Sequence, residues 1–333
     1  MHNPSRFLYV EWLITYGCNF RCAYCFFGPD NLRKNAYMFR HHGPRLAHNA
    51  LEHKLFKLAR RIGVFNYADA IRNHPLESWK KLFTYLAKVK NEIYLSLTGG
   101  EPLILEKPIV EIINHLHQHF ERVLVRFDTN GSLVPKFEGL DPNAAITFNV
   151  SYHPSQISRD KLLANLDRIR TKGTIHMVNR VFGKKDLPTA VDEISFFADR
   201  GYFLNFSPES FDISDYSEDD LALMRKLRTP IDVDFPILEK TIGRQCSYPT
   251  FGFQLLPNGY AWVPPCDNKS VNLISKPERI HSLLKTGDIA CPGKCVCFHQ
   301  YPWTSEGYKD MDIMGQYVAR NTAWRQQQLR TVQ

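Results

Sequence analysis

The chain has 333 residues, 44% of them hydrophobic and 23% charged, with a formal net charge of +8. That length can bury more than one apolar core, and the sequence has no apolar run of membrane-spanning length, no low-complexity tail and no basic run long enough for a nucleic-acid arm. Eight cysteines without a signal peptide point to a reducing cytoplasm and to thiols used for metal rather than for disulfides.

The first predicted strand starts near residue 8 and includes YVEWLIT, which runs into TYGCNFRCAYCFF. Cys18, Cys22 and Cys25 there have the spacing C-x3-C-x2-C. Three thiolates on so short a loop suit three irons of a [4Fe-4S] cube and leave the fourth open to a substrate or cofactor. The competing reading is a zinc site short of one ligand, although zinc ligands usually come as two C-x2-C pairs. From Phe26 to about Pro75 the chain is dense in aromatic and basic residues, with an apolar helical stripe through Leu51, Leu55, Leu58 and Ile62. This reads as a helical insertion, either solvated or poised as a basic lid.

A helical stripe follows at Leu76, Trp79, Leu82, Phe83 and Leu86, then a strand over 92–98, EIYLSLT, ending in Gly99-Gly100-Glu101-Pro102. Glycines allow a close backbone approach to a ligand, and Glu101 is an acceptor held at a strand end. Beyond the helical pattern IVEIINHLHQHF, a third strand ends in Asp128-Thr129-Asn130-Gly131 and a fourth in Ser151-Tyr152-His153. Further strands are expected over 173–179 and 202–207, with a helix through Leu162, Leu163, Leu166 and Ile169 ahead of the first of them. Ser217 and Asp220 cap one more helix start. Six strand–helix units in a row predict a parallel sheet with ligands at the carboxyl ends of its strands.

The three-cysteine loop and the Gly-Gly-Glu-Pro turn together resemble the radical S-adenosylmethionine (SAM) enzymes. The resemblance implies an α/β fold, a partial (β/α)6 barrel over 1–228. It also implies that Cys18, Cys22 and Cys25 hold a SAM-binding [4Fe-4S] cluster, whose reduction splits SAM into methionine and a 5′-deoxyadenosyl radical. Glu101, in the turn Gly99-Gly100-Glu101-Pro102, would hold the SAM amino group, Tyr24 would pack beside the adenine, and Asn130 and Ser151 would line the SAM site. His153 is a further candidate.

After Arg228 proline, glycine and cysteine recur and regular helices stop, which marks a smaller unit over 229–333. Phe251 to Leu256 and Tyr260 to Val263 flank Pro257-Asn258-Gly259, a strong hairpin signal that would bring Cys246 and Cys266 together. Cys291, Cys295 and Cys297 follow. These five cysteines resemble the SPASM or twitch extensions of radical SAM enzymes. The extension would be a small Cys-rich α+β unit containing a β-hairpin and holding one auxiliary [4Fe-4S] cluster, with one thiol spare; a zinc ribbon is the alternative. The spare thiol, Cys297, Cys295 or Cys246, would be a hydrogen donor.

A start of the first strand near residue 8 leaves no room for an N-terminal peptide-binding domain, which favours a small substrate. The expectation is epimerisation or dehydrogenation of a sugar, aminocyclitol or nucleoside in natural-product or antibiotic biosynthesis. The net charge is compatible with an anionic substrate and with a flavodoxin- or ferredoxin-type electron donor. A peptide or protein maturase forming cross-links or thioethers is the alternative, and an iron–sulfur electron-transfer protein stands behind it.

Overall fold

A computed structural model describes residues 6–25, 69–209, 213–227, 243, 245–263, 270–290, 319 and 322. Six parallel strands form its centre: β1 (Phe7–Thr15), β2 (Glu92–Gly99), β3 (Arg122–Thr129), β4 (Ala145–Tyr152), β5 (Thr174–Phe182) and β6 (Leu204–Pro208), paired in chain order. Helices α1 (Leu76–Val89), α2 (Glu106–His119), α3 (Arg159–Ile169), α4 (Ala190–Ala198) and α5 (Glu218–Leu227) alternate with them. This is the α/β architecture expected of a partial barrel.

The strand period of two sorts residues between faces. One face of β1 carries Val10, Trp12 and Ile14, all fully buried, and Trp12 packs on Trp79 of α1 at 4.7 Å between ring centroids. The other face carries Tyr9 and Glu11, aligned with Tyr94 and Ser96 of β2. The same alternation continues through β4, where Phe148 and Val150 are fully buried and Asn149 and Ser151 lie between them; at β5 the outer face also takes in a buried Arg180, paired with Glu193 of α4.

One expected unit differs. No helix lies between β3 and β4; the connection is a loop over 130–144. Pro135 and Pro142 interrupt any helical run there, and Phe137 adopts φ 54°. The Phe137 ring substitutes for a helix by packing on Phe127 at 5.4 Å and stacking on Phe148 at 6.3 Å.

The expected hairpin forms, from β8 (Gly252–Leu255) and β9 (Tyr260–Trp262), with Gly259 at φ 82°. It is continuous with the main sheet. β8 runs parallel to β1, with Val10 opposite Phe253, and β10 (Ser270–Asn272) extends β9, giving nine strands in the order β10-β9-β8-β1-β2-β3-β4-β5-β6. A separate two-stranded ladder joins β7 (Gln245–Cys246) to β11 (Ile289–Ala290).

Candidate active site

The carboxyl ends of β1 and β2 approach more closely than any side chain would allow. A Cβ on Gly99 would lie 2.1 Å from the Thr15 carbonyl oxygen, and one on Gly100 would lie 1.9 Å from that of Gly17. Without side chains, Gly100 N–H donates to Thr15 O and Glu101 N–H to Gly17 O, both at 2.7 Å. The approach that the two glycines permit here is therefore of backbone to backbone. It fastens the root of the cysteine loop to the second strand.

The loop is tied to two more strand ends. Asn19 Nδ2 donates to Ser132 Oγ at 2.7 Å, and Asn130 Nδ2 donates to Asn19 Oδ1 at 2.8 Å. On the β4 side, Arg21 N–H donates to Gln156 Oε1 at 3.1 Å, and the Tyr24 hydroxyl lies 2.6 Å from His153 Nδ1. Burial raises the pKa of Tyr24, helped by the nearby Cys22 thiol. Burial and the Arg180 charge lower that of His153 to about 4. Both groups are thus neutral at pH 7 and share one hydrogen bond.

Cys18 is exposed and Cys22 and Cys25 are half-buried, with Cys25 N–H donating to Cys22 O at 3.1 Å. None of the three forms a disulfide. Cys18 Sγ accepts from Phe20 N–H at 3.3 Å and from Asn130 Nδ2 at 3.6 Å. The thiols are near enough to feel one another: burial, then Cys25 and Cys18, push the Cys22 thiol up to about 11. Yet no three His, Cys, Asp or Glu side chains among the described residues close on a single point as the ligands of one ion do. A cube takes each thiolate at a different iron, so its ligand triad is wider than that of a lone zinc. Three free thiols on one loop are the donor chemistry that three irons of a cube take.

Glu101 is fully buried. Its carboxylate accepts from Leu103 N–H at 3.1 Å, Thr129 Oγ1 at 2.9 and 3.0 Å, and Asn130 N–H at 2.8 Å. Burial raises its pKa to about 7 against those bonds, which lower it. The first of them caps the short turn opened by Pro102. Among the described residues the carboxylate's hydrogen bonds all go to the ends of β2 and β3. Ser151 lies on the inner face of β4, in register with Asn179.

Beneath the loop, the inner face holds a polar network that the sequence reading did not single out. Arg126, itself buried, donates to Ser96 Oγ at 2.7 Å, Asp128 Oδ2 at 3.1 Å and Tyr9 Oη at 3.2 Å. Gln254 of β8 donates to Glu11 Oε2 at 3.0 Å, and Asn205 to Asn179 Oδ1 at 2.7 Å. The available signal was the charged pair in VLVRFDTNG, at positions two apart in an apolar strand. Arg126 is flanked by two carboxylates, so the chain's positive charge does not make the described inner face basic.

Of the five C-terminal cysteines, Cys246 is described. It is buried on β7, opposite Ile289, so the strand leading toward Cys291 lies beside it. Cys266, Cys291, Cys295 and Cys297 lie outside the described residues, as does the insertion up to residue 68.

A parallel α/β sheet whose first loop presents three thiols at the strand ends is a fold and donor set suited to an iron–sulfur cofactor. The sequence matches the Radical SAM superfamily over residues 12–183, more than half the chain, and the protein belongs to that superfamily. Membership implies a [4Fe-4S] cluster and SAM as cofactors. No curated protein matches the sequence. Among solved structures, native anSMEcpe with bound AdoMet is similar over 98% of this chain and 99% of that one, with a TM-score of 0.54 and 13% identity. Native anSMEcpe with bound AdoMet and Kp18Cys peptide is similar over 84% and 82%, with a TM-score of 0.51 and 13% identity. At such identities the likeness is one of fold. No described helix is long and apolar enough to cross a membrane.

Proposed function

We propose that this protein reductively cleaves SAM at a [4Fe-4S] cluster held by Cys18, Cys22 and Cys25, and removes a hydrogen atom from a residue of a peptide or protein. The observation that carries the first part is the three-thiol loop knitted to the ends of β1, β2, β3 and β4. When bound and reduced, the cluster supplies the electron that splits SAM into methionine and a 5′-deoxyadenosyl radical. The chain's own residues orient and shield. Tyr24, fixed by His153, offers an aromatic ring on the loop, Ser151 a hydroxyl at the β4 end, and Glu101 ties the β2 turn to Thr129 and Asn130. Since its carboxylate is already engaged, the SAM ammonium would meet the backbone of this turn as well as Glu101.

The peptide reading draws support from the full-length likeness in fold to anSMEcpe, which has been seen with bound peptides. Four of Cys246, Cys266, Cys291, Cys295 and Cys297 would hold an auxiliary cluster, and a flavodoxin- or ferredoxin-type protein would supply electrons.

A second reading, epimerisation or dehydrogenation of a small polyhydroxylated substrate, draws on the inner face, where Asp128, Asn149, Asn179 and Asn205 offer hydrogen bonds to hydroxyls. Reduced, reconstituted protein fed a deuterated cell extract split by size decides between them. Deuterium entering 5′-deoxyadenosine from the peptide fraction supports the first, and deuterium from the small-molecule fraction alone replaces it with the second.

A further inference from the structure

We infer that Asn130 is a positioning residue for the cluster itself, whose carboxamide donates to the Cys18 thiolate and raises the cluster's reduction potential. This rests on the assignment of Cys18, Cys22 and Cys25 to the cluster.

The orientation of the carboxamide is fixed by its partners. Asn130 Oδ1 accepts from Ser132 N–H at 2.9 Å, so the NH2 group must point the other way. One of its hydrogens goes to Asn19 Oδ1 at 2.8 Å, and the other is left for Cys18 Sγ at 3.6 Å. A flipped amide would set its NH2 against the Ser132 N–H and its oxygen against a thiolate.

The residue is also held from behind. Its backbone N–H is bound by buried Glu101 at 2.8 Å. The next residue, Gly131, sits at φ 67° with its carbonyl fixed by Asn165 Nδ2 at 2.8 Å. Gly131 has no room for a side chain: a Cβ would come within 2.6 Å of Val150 and 2.7 Å of Leu162. Asn130 is 5% exposed and cannot swing toward solvent without breaking these contacts. Cys18 thus receives two donors, one from its own loop at Phe20 and one delivered across the barrel mouth from β3.

Reduction adds negative charge to a cluster and to its thiolates. Donors aimed at a ligating sulfur stabilise the reduced form more than the oxidised form, so the potential rises. A preorganised donor does this without reorganisation. Through the Asn130 N–H, Glu101 takes part indirectly, as the anchor of the donor.

The test is the midpoint potential of the cluster whose paramagnetic signal shifts when SAM is added, titrated in the full-length, anaerobically reconstituted protein. Asn130→Ala removes the donor. Asn130→Asp is isosteric, keeps the acceptor for Ser132 N–H and replaces the donor by a negative charge. Both should retain wild-type iron, with potentials displaced to more negative values, further for Asp than for Ala. A wild-type potential in Asn130→Ala with full iron would overturn the inference. Loss of this cluster from both variants would also overturn it, since Asn130 would then be needed for assembly and not for tuning. Failure of the wild-type protein to bind a SAM-responsive cluster would instead remove the assignment on which the inference rests.

Discussion

On β3, Phe127 and Asp128 are adjacent in sequence and opposite in environment. Phe127 is fully buried on the outer face and stacks on Phe148 at 5.6 Å, inside the layer covered by helices. Asp128 looks inward, a quarter exposed, paired with Arg126 at 3.1 Å. The same division separates Trp12 from Glu11 and Phe148 from Asn149. One face of the sheet supplies packing and the other supplies polar groups, and a strand serves both because its side chains alternate. The outer face can therefore be weakened without touching chemistry, and an inner-face group outside the buried Arg126 network altered with little loss of stability.

The largest effect expected from that comparison is on the outer face. Phe127→Ala should cost about 3–5 kcal/mol, the range for a buried aromatic whose site cannot fully collapse. Iron per folded molecule should stay at the wild-type level. Urea unfolding and iron analysis check it, and iron loss at low urea would mean that the two faces are not separable.

Glu101 comes next, as a buried titrating group between the faces. Its pKa is raised to about 7 from an ordinary 4.5, so between those values the folded state binds the proton that the unfolded state has lost. Its stabilising effect is fully present below about 4.5 and is lost as pH rises through about 7, a difference of roughly 3 kcal/mol. Relative to Glu101→Gln, the cluster-free wild-type protein should therefore gain stability on acidification from about pH 8 to pH 5. Parallel unfolding profiles for the two proteins would contradict a buried, raised carboxyl.

Gly100→Ala tests the seam between the first two strands. Its Cβ would sit 1.9 Å from the Gly17 oxygen, and overpacking of this kind costs about 1–3 kcal/mol. Because the displaced atom belongs to the residue before Cys18, SAM cleavage should fall by roughly a hundredfold, the scale for a misplacement of about 1 Å. Unchanged cleavage would mean that the loop is not positioned by this contact.

The smallest effect on stability falls on the inner face. Asn149 Oδ1 is buried with no hydrogen-bond partner among the described residues, so Asn149→Ala should change stability by no more than about 0.5 kcal/mol. If the inner face receives substrate, the same change should reduce substrate-dependent deuterium transfer. A large loss of stability would make Asn149 part of the scaffold instead.

Much of this was legible in the sequence because its signals are local. Alternating strands, helical stripes and Asn258-Gly259 each report on a few neighbouring residues, and six strands and the hairpin appear where those patterns fall. The loop between β3 and β4 is not legible in the regular alternation on either side of it, although Pro135 and Pro142 exclude a long helix there. Continuity of the hairpin with β1 was not legible, since the pairing of Tyr9 with Gly252 depends on contacts 243 residues apart. The same holds for Glu101. Its motif marks it as an acceptor at a strand end, but only the fold reveals that Thr129 and Asn130, from another strand, fill its lone pairs.

The central claim is that Cys18, Cys22 and Cys25 hold the cluster at which SAM is cleaved. Its most direct test compares wild-type protein with the triple alanine variant, both reconstituted anaerobically and reduced in the presence of SAM. The triple variant should lose about four irons, the content of one cube, and form no 5′-deoxyadenosine. Formation of 5′-deoxyadenosine by the triple variant at the wild-type rate would contradict the claim.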